Sequence, residues 1–228
     1  MSFFVNIGLG SVSISLKEIF LTIIGHQENY IIQHYRLPKA FTAVLAGSGL
    51  GISGLLMQTL FRNPLAGPFV LGISSGASLG VAIVILGSSL MGGFLATVFI
   101  SKWSIVIAAS LGSFIVLLAV MIVAAKIRDT MAILIIGLMF GSITAALVSV
   151  LSYFSSAELI QQYVFWGFGN LGNLTWYEVV IFFSIYAVGI VLSMMSMKNL
   201  NTLLLGENYA KSLVLNVKKS RCIIIIAT

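Results

Sequence analysis

The side chains able to do bond chemistry are few, and their spacing suits none of it. The 228 residues hold two histidines, one cysteine and six acids against twelve Lys and Arg. His26 and His34 have no Cys or carboxylate at metal-ligand spacing, so solvated surface is the better reading, and no Ser stands with a His and an acid in a nucleophile motif. Cys222 alone builds neither a disulfide framework nor a cluster site and reads as an apolar filler. Gly167-Phe-Gly169-Asn-Leu-Gly172 spells G-x-G-x-x-G, but no strand-and-helix unit surrounds it, so a dinucleotide site is rejected. No G-x-x-x-x-G-K-[ST] loop occurs, and the chain cannot hold ATP by that route. The expectation is a protein that is not an enzyme and carries no metal and no cofactor.

What the chain can do must come from its elements. It is 59% hydrophobic and 8% charged, whereas a soluble domain is roughly 45–50% apolar and about 25% charged. Uncharged runs reach the roughly 20 residues that cross a bilayer. Lipid forces each backbone amide to pair within its own segment, which favours helices over open sheet. The fold class is therefore an all-α membrane protein, a polytopic transmembrane helix bundle. Runs bounded by charge are 40–61, 63–101, 103–125, 130–157 and 179–197. The second, 39 residues long, divides into a helix near Phe69–Met91 and a loop around Gly87, Ser88, Ser89, Gly92 and Gly93. That gives five complete spans, with the start of a sixth after Arg221 that stops seven residues later at Thr228.

The net charge of +6 is explained by membrane orientation rather than nucleic acid, because basic loops stay cytoplasmic. Lys17, Arg36, Lys39 and Lys102 fall on one side. Arg62, Lys126, Arg128, Lys198, Lys211, Lys218, Lys219 and Arg221 fall on the other. The second side is expected inside, making 1–39 an extracytoplasmic segment and 198–221 a cytoplasmic loop. The first sixteen residues are uncharged but broken by Asn6, Gly8, Gly10, Ser11, Ser13 and Ser15, and read as no signal peptide. One more helix is expected before Met1, so the chain reads as truncated at both ends.

No proposed span holds an Asp, Glu, Lys or Arg in its middle, whereas carriers driven by protons or sodium usually keep such a group for the coupling ion. Energy is expected from a partner. Glycines recur four apart, on one helix face, at Gly47 and Gly51, at Gly72, Gly76 and Gly80, and at Gly137 and Gly141. Such faces let helix backbones approach closely where no hydrophobic effect separates helix from lipid. Trp166, Trp176 and Tyr177 read as interface anchors.

The order of Arg36-Leu-Pro-Lys39, the glycine-rich stretch Gly47–Gly54, Gln58, Arg62-Asn-Pro-Leu-Ala-Gly-Pro68 and Leu71-Gly-Ile-Ser-Ser-Gly-Ala77 closely resembles the FecCD family. These are permease subunits of ABC importers for iron–siderophores, haem and cobalamin. The resemblance continues at Trp166-Gly-Phe-Gly-Asn-Leu171 and Leu203-Leu-Leu-Gly-Glu-Asn-Tyr-Ala210. It implies that 1–228 is one transmembrane permease domain, a fragment holding helices two to early seven of a ten-helix subunit. It also implies a permease homo- or heterodimer in the bacterial cytoplasmic (inner) membrane. Two ATP-binding subunits would lie on the cytoplasmic side, and a substrate-binding lipoprotein or periplasmic protein outside. Lys39 and Val214 depart from the family's usual Arg and Gly.

Roles follow from the resemblance. Arg36 and Lys39 would dock the binding protein; residue spacing alone allows them equally to snorkel to lipid phosphates. Gln58, Asn63 and Pro64 are the candidates for gate and path. Leu204, Gly206, Glu207 and Ala210 would meet the ATP-binding subunit. Independently, Pro64 and Pro68 each lack a backbone donor and restrict the residue before them, so a helix end and a fixed turn are expected there. The mixed segment Asn199–Lys219 is too polar to span and, as short helices, would present a docking face. The reading is an importer permease working by alternating access; a passive channel or a non-functional truncated permease is the alternative.

Overall fold

A computed structural model describes residues 6–8, 14–26, 28–88, 101–126, 130–172, 174–213 and 216–228. Nine α-helices occur among the described residues: α1 (Leu16–Ile23), α2 (Leu37–Phe61), α3 (Ile73–Ile85), α4 (Lys102–Lys126), α5 (Thr130–Tyr153), α6 (Ala157–Gly167), α7 (Trp176–Leu204), α8 (Glu207–Ser212) and α9 (Val217–Ala227). Among the described residues, four segments are long and apolar enough to cross a membrane: Ile32–Phe61, Lys102–Val123, Ala132–Tyr153 and Trp176–Leu204.

Several expected boundaries move: α2 starts at Leu37 rather than 40, and α7 runs on to Leu204 rather than ending at 197. Three further shifts have a local reason. The stretch Phe69–Met91 is not one full-length helix: a 3₁₀ turn, Pro68–Leu71, precedes a 13-residue α3. At about 1.5 Å per residue α3 reaches only about 20 Å, short of the roughly 30 Å hydrocarbon core. The cause is Gly72, whose φ of 73° ends the 3₁₀ turn and starts α3 in a left-handed conformation that glycine adopts without strain. The loop expected beyond it lies, from Ser89 on, outside the described residues. The last span begins at Trp176, not 179, because Thr175 and Glu178 form a capping box: the Thr175 N–H donates to Glu178 Oε2 at 2.7 Å and the Glu178 N–H to Thr175 Oγ1 at 3.4 Å. The final helix begins at Val217 rather than after Arg221, since Asn216 Oδ1 accepts the Lys219 N–H at 3.0 Å as an N-cap.

Close contacts group the chain into two units, one of residues 1–52 and 170–195, the other of 53–169 and 196–226. In the first, Ile7, Ile14, Ile19, Ile32 and Ala40 form a buried cluster. Asn29 caps the helix that leads into α2, its Oδ1 accepting the N–H of Ile31 at 3.0 Å and of Ile32 at 3.2 Å. That helix opens with a π turn, Ile32–Arg36, closed by the Leu37 N–H on the Ile32 carbonyl. The wider ring directly precedes Pro38, whose ring would clash with the carbonyl four residues back in a regular α-helix. Tyr186 of α7 meets α2 at Ser48, hydroxyl to hydroxyl at 2.9 Å, and its ring lies 3.5 Å from where a Cβ on Gly49 would be. Ser48 Oγ also lies 2.6 Å from the Val44 carbonyl, which takes its proton and leaves Tyr186 as the donor of the pair.

In the second unit α3 packs most extensively on α4 and next on α5. A Cβ on Gly76 would lie 2.9 Å from the Gly112 carbonyl carbon, and one on Gly80 would lie 2.9 Å from that of Ala108. Ser113 Oγ donates to the Ile73 carbonyl at 3.1 Å between the same helices. Val81, Ala82, Ile85 and Leu86 are buried beneath Tyr163 and Trp166 of α6. Tyr163 also shares a hydrogen bond with Ser78. The Glu158 carboxyl, in the first turn of α6, is held below its ordinary 4.5 by its backbone N–H and by the Ser156 hydroxyl. Every buried polar side chain among the described residues is a Ser or Thr. Thr42 and Ser193 show how such a group is satisfied, by donating back to the carbonyl four residues earlier, at 2.8 and 2.7 Å.

Candidate coupling site

Pro64 disfavours helical backbone at Asn63, so α2 has to end before it. It ends in a Schellman motif: the Asn63 N–H donates to the Gln58 carbonyl at 3.1 Å and the Arg62 N–H to that of Thr59 at 3.4 Å. The residue between cap and turn, usually glycine, is Arg62 with φ 49°, the one non-glycine at positive φ among the described residues. Left-handed backbone costs a residue with a Cβ about 1–2 kcal/mol. Asn63 then folds its side chain back, Oδ1 accepting the Leu65 N–H at 2.9 Å, and its carbonyl accepts the Ala66 N–H at 3.1 Å. The two bonds bury Ala66 and leave Pro64 and Leu65 exposed.

The far end of α7 arrives at the same place. Its last turn tightens as the Leu205 N–H donates to the Thr202 carbonyl at 3.3 Å and the Gly206 N–H to that of Leu203 at 3.1 Å. Gly206, at φ 118°, turns the chain into α8, whose Ala210 N–H reaches back to the Gly206 carbonyl at 2.9 Å. Leu200, Leu203 and Ala210 are buried, while Leu204, Leu205, Tyr209 and Leu213 stand exposed beside them. The Arg62 guanidinium joins the two ends, donating to the Leu203 carbonyl. A helix C-terminus leaves carbonyls without partners and carries partial negative charge, so a cation is the suited group there.

Asn63 and Pro64 thus stand in the turn whose preceding residue, Arg62, touches the segment holding Leu204, Gly206, Glu207 and Ala210, with Glu207 the first residue of α8. Gln58 contributes its carbonyl to the helix end and its side chain is exposed. Arg36 and Lys39 are placed elsewhere. They lie in the π turn and the first turn of α2, inside the helix rather than ahead of it. Lys39 is exposed, but the Arg36 guanidinium donates to the carbonyls of Ile7 and Gly8, the latter at 3.1 Å. Gly72 lies against α4 and α5, where an added Cβ would come within 3.1 Å of the Gly137 carbonyl oxygen and of a Val116 methyl. Gly47 and Gly51 have open space, with nothing within 4 Å of an added Cβ. The sequence showed Arg62 as a loop charge and as the first residue of the Arg62–Pro68 stretch that carries the resemblance, but not as a contact; its place just past the helix end follows from Asn-Pro immediately after it, since Pro64 disfavours helical backbone at Asn63.

Over residues 1–228 the sequence matches the FecCD transport family. The chain belongs to that family. This FecCD chain is 30% identical over 214 residues to the hemin transport system permease protein of Yersinia pestis, 93% of the chain aligning with 63% of that relative. It is 33% identical over 194 residues to the vitamin B12 import system permease protein of Salmonella paratyphi A, 85% of the chain aligning with 56% of that protein. It therefore spans less than two thirds of the length of the curated relatives it matches, at 63% and 56%. Its fold is similar to a solved structure described as an inward-facing conformation of a metal-chelate type ABC transporter, with a TM-score of 0.80 at 27% identity, covering 99% of this chain and 68% of that one. With its apolar helices, this FecCD chain is a multi-pass membrane protein.

Proposed function

We propose that this chain is the membrane-spanning permease part of a binding-protein-dependent ABC importer that carries an iron–siderophore or related metal chelate into the cell. The observation that carries this reading is the FecCD match across the whole chain. Hemin and vitamin B12, named for two relatives, and the metal-chelate type of the structural neighbour are one chemical class, a large organic chelate of a metal ion. Such a cargo needs apolar walls more than ionisable groups, and the buried polar side chains among the described residues are hydroxyls alone.

In this reading the protein works as a dimer with a second permease copy or a homologue. Two ATP-binding subunits sit on the cytoplasmic side, against residues 198–221, and a binding protein docks outside, where residues 1–39 lie. ATP-driven closure of those subunits displaces α8, tilts α2 and α7, and switches a central path from outward to inward access. Gln58, Asn63 and Pro64 stand at the inner gate. The test is uptake into vesicles holding the complete importer, offered radioiron-labelled siderophore, haem or cobalamin on its binding protein. Accumulation that needs both ATP and the binding protein is expected, for one chelate above the others. Passage of chelate or ions without either would establish a channel instead.

A further inference from the structure

We infer that Arg62 is the positioning residue that carries movement of α8 to the end of α2, an inference resting on the importer reading above. Three observations meet at this side chain. Its backbone is held at φ 49°, where glycine is the unstrained choice, so the structure keeps an arginine at a position whose geometry favours having none. Its guanidinium donates to the Leu203 carbonyl, and that same oxygen accepts the Gly206 N–H at 3.1 Å. The Gly206 carbonyl in turn accepts the Ala210 N–H at 2.9 Å, so hydrogen bonds run from the Arg62 side chain through Leu203 and Gly206 into α8.

On the other side the Arg62 backbone is the left-handed residue of the Schellman motif and leads directly into Asn63, whose own N–H is fixed on Gln58. Pro64 removes the freedom to absorb a displacement between them. A push on α8 therefore reaches the gate candidates through one side chain. Arginine suits the task because its charge persists at every physiological pH and its planar fork loses little freedom on bonding.

Arg62→Gly keeps the left-handed backbone and deletes the strut, which separates the two roles. In the complete importer the variant is expected to reach the membrane and co-purify with the ATP-binding subunits at wild-type level. Its uptake per ATP hydrolysed should fall about tenfold, as for loss of a charge-assisted hydrogen bond. Arg62→Lys, which keeps a donor and the charge, should recover part of that loss. Spin labels at Gln58 and Leu205 should shift together through the ATP cycle in the wild type and independently in Arg62→Gly. Unchanged uptake per ATP in Arg62→Gly overturns the assignment. If Arg62→Gly and Arg62→Asn, which both tolerate this backbone, fail to accumulate, Arg62 serves folding and the assignment is equally overturned. A wild-type importer that transports nothing would refute the importer reading itself, a result distinct from either.

Discussion

Gly76 and Gly112 face each other so closely across α3 and α4 that a Cβ on either would overlap the carbonyl of the other. The approach is backbone to backbone, so no side-chain rotation can relieve it. Substituting Ala at either position should force the helices apart and destabilise the protein by about 1–3 kcal/mol, the range for overpacking. Gly47→Ala is the control: its Cβ would meet nothing within 4 Å, and alanine is the better helix former by roughly 1 kcal/mol. Thermal unfolding in detergent should therefore rank Gly76→Ala and Gly112→Ala below wild type and Gly47→Ala level with it or above. A fall for Gly47→Ala seen only in the assembled importer would show that a partner covers that face.

The division of basic residues, Lys17, Arg36, Lys39 and Lys102 against the remaining eight, makes topology testable. In a Cys222-free protein, a cysteine at Asn170 should react with an impermeant thiol reagent added from outside. A cysteine at Lys211 should react only after permeabilisation. The opposite pattern would invert the molecule and take the coupling site off the cytoplasmic face.

Because the Arg36 guanidinium already donates to the Ile7 and Gly8 carbonyls, Arg36 and exposed Lys39 should behave differently when replaced by Glu. Lys39→Glu should slow association with the binding protein most at low salt, where the screening length approaches about 30 Å, against about 8 Å at physiological strength. Membrane insertion should be unaffected. Arg36→Glu should in addition free the chain around Ile7 and Gly8, seen as faster amide exchange there. Salt-independent docking by Lys39→Glu would make Lys39 a lipid anchor.

Glu207 begins α8 on the segment that carries exposed Leu204, Leu205, Tyr209 and Leu213. Glu207→Lys should weaken co-purification of the ATP-binding subunits or separate ATP hydrolysis from uptake. Normal assembly together with normal coupling would remove Glu207 from the contact.

Helix class and four of the five expected spans were legible because apolar runs between charges exceed what a turn can hold; the run near Phe69–Met91 instead holds the shorter α3 among the described residues. The glycine spacing at Gly76 and Gly80 pointed to a close face, but the partner, Gly112 with Ala108, could not be read because contact across helices leaves no local pattern. Helix ends were read less well. Charges marked them, whereas the structure sets them by short polar caps, Thr175 with Glu178 and Asn216, which sit a few residues from the nearest break in hydrophobicity. The joining role of Arg62 was hidden for a different reason: its left-handed backbone belongs to a helix-ending motif that usually takes glycine there, and its acceptor at Leu203 lies 141 residues away.

The π turn at Ile32–Arg36 holds one residue more than an α-helical ring, and it sets Tyr30 against two partners at once: His34, stacked at 4.3 Å, and Tyr35, edge-on at 6.1 Å. It is a built-in spare residue. Deleting one position within 32–36 would let an uninterrupted α-helix form, at the expense of turning everything before it by about 100° around the axis. The aromatic trio would come apart, and the Arg36 side chain would swing off the Ile7 and Gly8 carbonyls. A length change here thus costs those contacts but creates no overlap, whereas along α3 or α4 a one-residue slip would carry a side chain into the Gly76–Gly112 contact.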